Sequence, residues 1–99
     1  MKSPRITSST LKVLDAVLRR QRAAGADIAK DTGLASGTLY PILLRLEGFG
    51  WLASEWEYGD PATLGRPRRR FYTLTAEGAA KAKSVAQELQ GSVGRLAWS

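Results

Sequence analysis

The stretch that decides the fold is residues 28–42, which read IAKDTGLASGTLYPI. A helix-turn-helix needs a small residue where its two helices cross, a Gly four positions later at the turn, and apolar residues that pack the second helix back. Ala29 is the small residue and Gly33 stands four positions after it. The apolar positions in register are Ile28, Leu34, Leu39 and Ile42. We therefore predict a helix-turn-helix, with a three-helix bundle that binds no ligand as the alternative.

Two helices are predicted up to the turn. In the first, apolar residues recur every three or four positions, and we expect it to run to about Arg22. Its candidate N-caps are Thr7, Ser8 and Ser9. The second helix, over 27–32, is only about six residues long, because Gly33 is a natural left-handed stop. We expect no strand before the third helix.

The third helix begins at Ser36, a candidate N-cap, and ends at Gly48 and Gly50. On a helical wheel its apolar face is Leu39, Ile42, Leu43 and Leu46. The opposite side presents Gly37, Thr38, Pro41, Leu44 and Arg45, with Tyr40 at the flank. This outer side is small and lightly polar near its start, as suits a recognition helix whose backbone comes close to the bases of a major groove.

Roles in DNA binding follow from the residue types on that side. Ser36 and Thr38 can donate hydrogen bonds to phosphates, and Arg45 can reach a guanine edge or a phosphate. Pro41 or Leu44 can touch a thymine methyl group. Pro is normally disfavoured inside a helix, because it removes a backbone hydrogen bond. Its presence at position 41 favours a functional surface, with a tolerated kink as the alternative. For Tyr40, a packing role is the alternative.

A long-looped hairpin is predicted after the third helix. Apolar and polar residues alternate over 52–57, with Leu52, Ser54 and Trp56 on one side, and residues 71–74 form a second β-prone segment after a turn-rich stretch. The loop carries four arginines in five positions: Arg66, Arg68, Arg69 and Arg70. With Pro67 holding the backbone extended, the tip resembles an AT-hook and can enter a minor groove. The alternative is a merely solvated loop.

The last helix is predicted to begin at Thr75. Its small and apolar residues recur every three or four positions and form a narrow stripe, which we call the seam. The predicted dimerisation residues are Ala79, Ala82, Ala86, Leu89, Val93, Leu96 and Trp98. The fold class is therefore mainly α with a small β-hairpin wing, a winged helix-turn-helix over residues 1–78 followed by a short C-terminal dimerisation helix over 79–99. Trp51, Trp56 and Trp98 could also line an aromatic pocket for a small-molecule effector at a dimer interface, with a place in the core as the alternative.

Composition limits the classes of function. The 99 residues contain no His and no Cys, so a Ser-His triad, a thiolate nucleophile and a His-ligated metal are excluded, and we expect neither an enzyme nor a cofactor. The longest aliphatic run of note, residues 42–44, is far too short to span a membrane, and the polar start lacks a signal-peptide apolar region, which predicts a cytoplasmic protein with no membrane partner.

Charge favours an anionic partner. The net charge of +6 is concentrated at two ends, because residues 1–26 carry six basic and one acidic group and residues 61–99 carry seven and two. Together with the predicted recognition helix, this charge predicts a protein that binds a double-stranded DNA operator. A winged helix that serves as a protein-interaction module and a non-specific nucleic-acid-binding protein are the alternatives.

Several motifs together resemble the PadR family of bacterial transcriptional regulators. The most specific are Gly-Thr-Leu-Tyr-Pro at 37–41 and Gly-Arg-Pro-Arg-Arg at 65–69, which precedes Tyr-Thr-Leu-Thr at 72–75. The resemblance implies a dimeric winged helix-turn-helix repressor. It also implies that Thr38, Tyr40 and Pro41 lie on the recognition helix and that the arginine-rich wing lies at the phosphates or the minor groove.

Overall fold

Four helices and a three-stranded antiparallel sheet form the computed structural model, which describes residues 6–85 and residue 87. The elements are α1 (Ser8–Arg20), β1 (Ala23–Ala24), α2 (Gly25–Thr32), α3 (Ser36–Gly48), β2 (Leu52–Trp56), α4 (Pro61–Leu64) and β3 (Arg70–Leu74). A helical segment follows over residues 76–85. The mainly α winged-helix fold is confirmed.

Helix α1 begins as predicted and ends two residues early. Thr7 is its N-cap, and the hydroxyl oxygen of Thr7 accepts a hydrogen bond from the Thr10 N–H at 3.1 Å. The helix stops at Arg20 because Gln21 has a φ of 65°, a left-handed conformation that ends the helical path. The predicted end at about Arg22 lies two residues beyond the observed one.

A strand precedes the second helix, so the prediction of three helices before any strand was also wrong. Strand β1 pairs antiparallel with β3, with Ala23 opposite Tyr72 and Ala24 opposite Phe71, and the sheet order is β1-β3-β2. Two alanines carry neither β-propensity nor alternation, so no local signal marks this strand. Helix α2 starts directly after it and has eight residues, ending as predicted at Gly33, whose φ is 71°.

Helix α3 ends at the predicted residue and has a different cap. Ala35 is the N-cap and Ser36 is the first helical residue, because the Ala35 carbonyl accepts from the N–H groups of Thr38 and Leu39. The prediction of Ser36 as N-cap was therefore wrong. The predicted inner face is confirmed, since its four residues are at most 7% exposed: Leu39, Ile42, Leu43 and Leu46.

The core lies between the three long helices and the inner face of the sheet. Ile28 is fully buried at the centre, while Ala29 and Leu34 are partly buried against the same cluster, as the motif predicts. The other large buried side chains from α1 and the sheet include Val13, Leu14, Val17, Trp51, Leu52 and Tyr72. This packing fixes the angle at which α3 is presented to its surroundings.

The hairpin forms as predicted, with a short helix in its loop. Strands β2 and β3 pair antiparallel from Leu52 opposite Leu74 to Trp56 opposite Arg70. The predicted alternation of buried and exposed residues fails at the outer end of β2. Trp56 was predicted on the same side as Leu52 and Ser54, and it is 59% exposed. The sheet leaves the core before it reaches this residue. Helix α4, in the loop, was not predicted.

The C-terminal helical segment packs on Trp51, the residue just before β2. Thr75 caps it as predicted, since the Thr75 hydroxyl oxygen accepts from the Gly78 N–H at 3.0 Å and the Thr75 N–H donates to the Trp51 carbonyl at 3.0 Å. A Cβ on Gly78 would overlap the Trp51 carbonyl oxygen. Only Gly therefore fits at this contact.

The predicted dimerisation seam begins on this segment. Ala79 is half-buried, and Ala82, 7% exposed, belongs to the core of its own domain. Ala82 therefore packs within its own domain. The other seam residues lie outside the described residues: Ala86, Leu89, Val93, Leu96 and Trp98. Among the described residues no helix has the length and apolarity needed to cross a membrane.

Candidate nucleic-acid interface

The outer side of α3 is exposed along its whole length. All seven predicted contact residues have exposed side chains or backbone: Ser36, Gly37, Thr38, Tyr40, Pro41, Leu44 and Arg45. Leu44 is 75% exposed and Tyr40 is 48% exposed. Large apolar side chains so open to solvent contribute nothing to this domain's core. The surface is thus shaped for contact with another molecule.

Tyr40 joins α3 to the start of α2 and to the wing. A Cβ built on Gly25 would lie 2.7 Å from the Tyr40 hydroxyl oxygen, so the phenol ring lies directly against the Gly25 backbone. Tyr40 also lines a cleft of about 370 Å³ whose other side is formed by Trp56, Tyr72 and the arginines 68–70. The recognition helix and the wing therefore face the same side of the molecule.

The four wing arginines fall into two classes. Arg66 and Arg70 each form an ion pair within the domain, at 2.6 Å from Glu57 and 3.4 Å from Glu47. Arg68 and Arg69 are exposed, and their side chains form no ion pair with any residue that the structure describes. The two outward arginines are therefore the cations that the wing offers to a partner.

Glu57 is the anchor of the wing loop. Its carboxylate accepts hydrogen bonds from Arg66 Nη1 at 2.6 Å and Nη2 at 2.8 Å, and from the Arg69 backbone N–H at 3.3 Å. The side-chain hydrogen bonds from Arg66 are the main cause that lowers the pKa of Glu57 to about 2. The prediction placed Arg66 among the outward-projecting cations of an AT-hook-like tip, whereas it folds back onto this carboxylate.

Glu47 connects the end of α3 to both strands of the hairpin. The Ser54 hydroxyl donates to both oxygens of the Glu47 carboxylate, at 2.6 and 2.8 Å, and Arg70 Nη2 donates to it at 3.4 Å. The Arg70 guanidinium also lies 5.1 Å from the centroid of the Trp56 ring, within the range of a cation–π contact. These contacts fix the wing relative to the recognition helix.

A second set of charged contacts braces the other edge of the sheet and the first two helices. Arg22 lies 3.8 Å from the Phe71 ring centroid and pairs with Glu55 at 3.3 Å. Arg20 donates two hydrogen bonds to Asp31, which raises the pKa of Arg20 and lowers that of Asp31. Arg19 likewise pairs with Asp15. Three of the six basic groups in residues 1–26, which were predicted to attract a polyanion, thus form ion pairs within the fold.

The expected tryptophan pocket does not form as a unit. Trp51 is 4% exposed and belongs to the core, whereas Trp56 lies on the open wing. Trp98 lies outside the described residues. The cleft beside Tyr40 is instead lined by Trp56 and Tyr72, and burial is the main cause that raises the pKa of the Tyr72 hydroxyl.

Sequence reasoning missed the acidic partners of the site, Glu57 and Glu47. No local signal marks them, because Glu47 comes from the end of α3 and Glu57 from the far side of the hairpin, and only the fold brings each of them to an arginine. The position of Gly25 against Tyr40 had no local signal, since it depends on how α2 and α3 cross. Among the described residues no group of three or more acidic side chains could hold a metal ion.

Known regulators share this architecture. The chain matches the sequence model of the transcriptional regulator PadR-like family over residues 14–84. A PadR family transcriptional regulator from Eggerthella lenta is 35% identical, with a TM-score of 0.65, and the match covers 88% of this chain and 80% of that one. A PadR family transcription regulator from Clostridium difficile is 23% identical, with a TM-score of 0.75 and coverages of 91% and 94%.

The fold extends to a second group of regulators. A mutant of MarR from E. coli, complexed with operator DNA, is 24% identical with a TM-score of 0.68, and the match covers 83% of this chain and only 54% of that one. A search among curated proteins finds no match. The family match covers most of the chain, including α3 and the wing. The chain therefore belongs to the PadR-like family of DNA-binding transcriptional regulators.

Proposed function

We propose that this protein is a homodimeric repressor that binds a specific double-stranded DNA sequence. Helix α3 reads the major groove through Thr38, Tyr40, Leu44 and Arg45, and the wing lays Arg68 and Arg69 on the phosphates or in the adjacent minor groove. One observation carries the proposal. The exposed side of α3 and the two outward arginines face the same side of one rigid domain.

The free cations favour DNA over a protein partner. Arg45, Arg68 and Arg69 form no ion pair with any described residue, although Glu47, Glu55 and Glu57 lie on the neighbouring elements. A surface that keeps these arginines unpaired, while the neighbouring carboxylates are already paired with other arginines, suits a polyanion. The MarR mutant of the same fold is seen with operator DNA, which supports the same mode of binding here.

Selection from a random duplex pool tests the proposal against non-specific binding. We expect a recovered sequence to bind about 10³ to 10⁷ times more tightly than random duplex, the range of specific regulators. Equal affinity for both would contradict sequence-specific regulation. Placing the recovered sequence over a promoter then tests repression, since transcription in vitro should fall as the protein is added.

Dimerisation would follow from the C-terminal part of the chain. We propose that residues 1–78 form the DNA-binding unit and residues 79–99 contribute the contact between copies, chiefly through Leu89, Val93 and Leu96. The variant Leu89→Asp should sediment as a monomer and bind the recovered sequence more weakly. A tight dimer in this variant would move the interface elsewhere, with α1 as the next candidate.

A small-molecule effector would act at the cleft beside Tyr40. The volume of about 370 Å³ is in the range of ligand sites, and Tyr40, Trp56 and Tyr72 offer aromatic rings next to the Arg70 guanidinium. A ligand there would stand between α3 and the wing and compete with DNA. The exposed Trp56 provides a fluorescence signal for screening ligands.

We propose that the protein binds its DNA sequence in the cytoplasm.

A further inference from the structure

We infer that Glu57 limits the non-specific attraction of the wing to DNA by holding Arg66 inside the loop, and that it thereby raises the discrimination between a specific sequence and random duplex. The inference rests on the proposed function, because it concerns the same wing and the same partner. According to this inference, two arginines that lie two positions apart in the sequence have different roles. Arg66 shapes the loop, and Arg68 contacts DNA.

The geometry of the pair supports a fixed internal role for Arg66. Both guanidinium nitrogens Nη1 and Nη2 donate to the two oxygens of Glu57, at 2.6 and 2.8 Å, which is the bidentate arrangement that gives strong, well-oriented pairs. The Glu57 side chain is 17% exposed and that of Arg66 is 35% exposed. The charge of a guanidinium held in this way is already balanced by the Glu57 carboxylate, so it neutralises a phosphate less than a free guanidinium would.

Glu57 also fixes the far side of the loop. The Arg69 N–H donates to the Glu57 carboxylate at 3.3 Å, and the Glu57 N–H donates to the Arg69 carbonyl at 2.7 Å. Residues 66 and 69 are therefore both tied to one residue of the opposite side of the hairpin. Arg68 lies between these two ties and is exposed. The two ties, which we call the clamp, hold the backbone on both sides of it.

The clamp changes the balance of affinity and specificity. Each arginine that neutralises a phosphate releases counterions and strengthens binding to every sequence alike. A fully free cluster of four arginines would therefore raise affinity for random duplex without improving readout of bases. The carboxylate removes one of the four cations from this contribution. The hydrogen bonds from Arg66 lower the pKa of Glu57 to about 2, so the carboxylate stays charged at physiological pH.

The variant Glu57→Gln tests the inference by releasing Arg66. We expect the slope of log affinity against log salt on random duplex to become steeper by about 0.9 per protomer, which is about a threefold larger loss of affinity between 50 and 200 mM salt. Affinity for random duplex at low salt should rise. The ratio between the recovered specific sequence and random duplex should fall.

The matched control is Glu55→Gln, which removes the same charge from the same hairpin. Glu55 pairs with Arg22 at 3.3 Å, and the Arg22 guanidinium also lies 3.8 Å from the centroid of the Phe71 ring, a contact that does not involve Glu55. Its salt slope should therefore equal that of the wild type. Equal slopes for Glu57→Gln and Glu55→Gln would overturn the inference while leaving the proposed function intact.

A double variant provides a second test, so that the inference does not depend on Glu57→Gln alone. In Glu57→Gln with Arg66→Met, both members of the pair are gone, and the slope should return to that of the wild type. A slope flatter than wild type would show that Arg66 already contacts DNA in the native protein, which would overturn the inference. Circular dichroism establishes that each variant folds. Wild-type protein that binds no duplex at all would contradict the proposed function itself.

Discussion

The Tyr40 phenol on the recognition helix lies against the backbone of Gly25 at the start of α2, where an added Cβ would be 2.7 Å from the Tyr40 hydroxyl oxygen. The atom that would have to move is the far end of a flexible side chain. A change at Gly25 would therefore displace Tyr40 from its position between the helix-turn-helix and the cleft, while the core beneath stays in place.

For this reason we expect Gly25→Ala to alter DNA binding more than stability. The free energy of unfolding should change by no more than about 1 kcal/mol, because Ala also has the better helix propensity. Affinity for the recovered sequence should fall, because Tyr40 is shifted. Gly48→Ala is the control, since a Cβ at Gly48 meets nothing within 4 Å. Unchanged DNA affinity in Gly25→Ala would remove Tyr40 from the proposed contacts.

The contact of Gly78 with Trp51 predicts the opposite outcome. Here an added Cβ meets the carbonyl oxygen and backbone of Trp51, which cannot turn aside. Gly78→Ala should therefore destabilise the domain by about 3 kcal/mol or more, the upper end for overpacked sites, although Ala is favoured in helices. Urea unfolding measures this loss. A neutral or stabilising effect would show that the helical segment does not pack on Trp51.

Pro41 offers a direct choice between a tolerated kink and a DNA contact. It lies in the interior of α3, is exposed, and removes one backbone hydrogen bond from the helix. Pro41→Ala should raise the free energy of unfolding by about 1–3 kcal/mol. As a contact residue it should also lower affinity for the recovered sequence. A more stable variant with full affinity would assign Pro41 to the kink alone.

The Glu57–Arg66 pair makes stability depend on pH in acid. Because the folded pKa of Glu57, about 2, lies below its ordinary value of 4.5, its contribution is fully present above about pH 4.5 and is lost as pH falls through 2. The melting temperature of wild type should therefore fall more steeply than that of Glu57→Gln between pH 4.5 and 2. Parallel curves in that window would show that the pair does not form in solution.

The parts of the fold that depend on local pattern were accessible from sequence. The spacing of Ala29, Gly33 and Leu39 predicts the turn and the buried face of α3, because helix packing imposes that spacing whatever lies around it. The exposed side of α3 follows from the same wheel. The end of α2 at Gly33 was predicted for the same reason, since a left-handed stop is a property of one residue.

The parts that depend on distant partners were not accessible. Ala23 and Ala24 become a strand only because β3 lies beside them, and Gln21 ends α1 because the chain must turn toward that strand. Likewise, the arginine cluster reads as four equivalent cations until Glu57 and Glu47 are seen opposite two of them. Propensity and periodicity are local properties of the sequence, so they do not predict contacts with residues that are distant along the chain.

The most direct test of the account is the salt dependence of binding by the variant with both Arg68→Ala and Arg69→Ala. If these two exposed arginines lie on phosphates, the slope of log affinity against log salt should flatten by about 0.9 for each arginine, hence by nearly 2 per protomer. Lys12→Ala with Arg19→Ala removes the same charge from the exposed side of α1, and it should leave the slope close to wild type. A wing variant with the wild-type slope would contradict the claim that the wing contacts DNA beside α3.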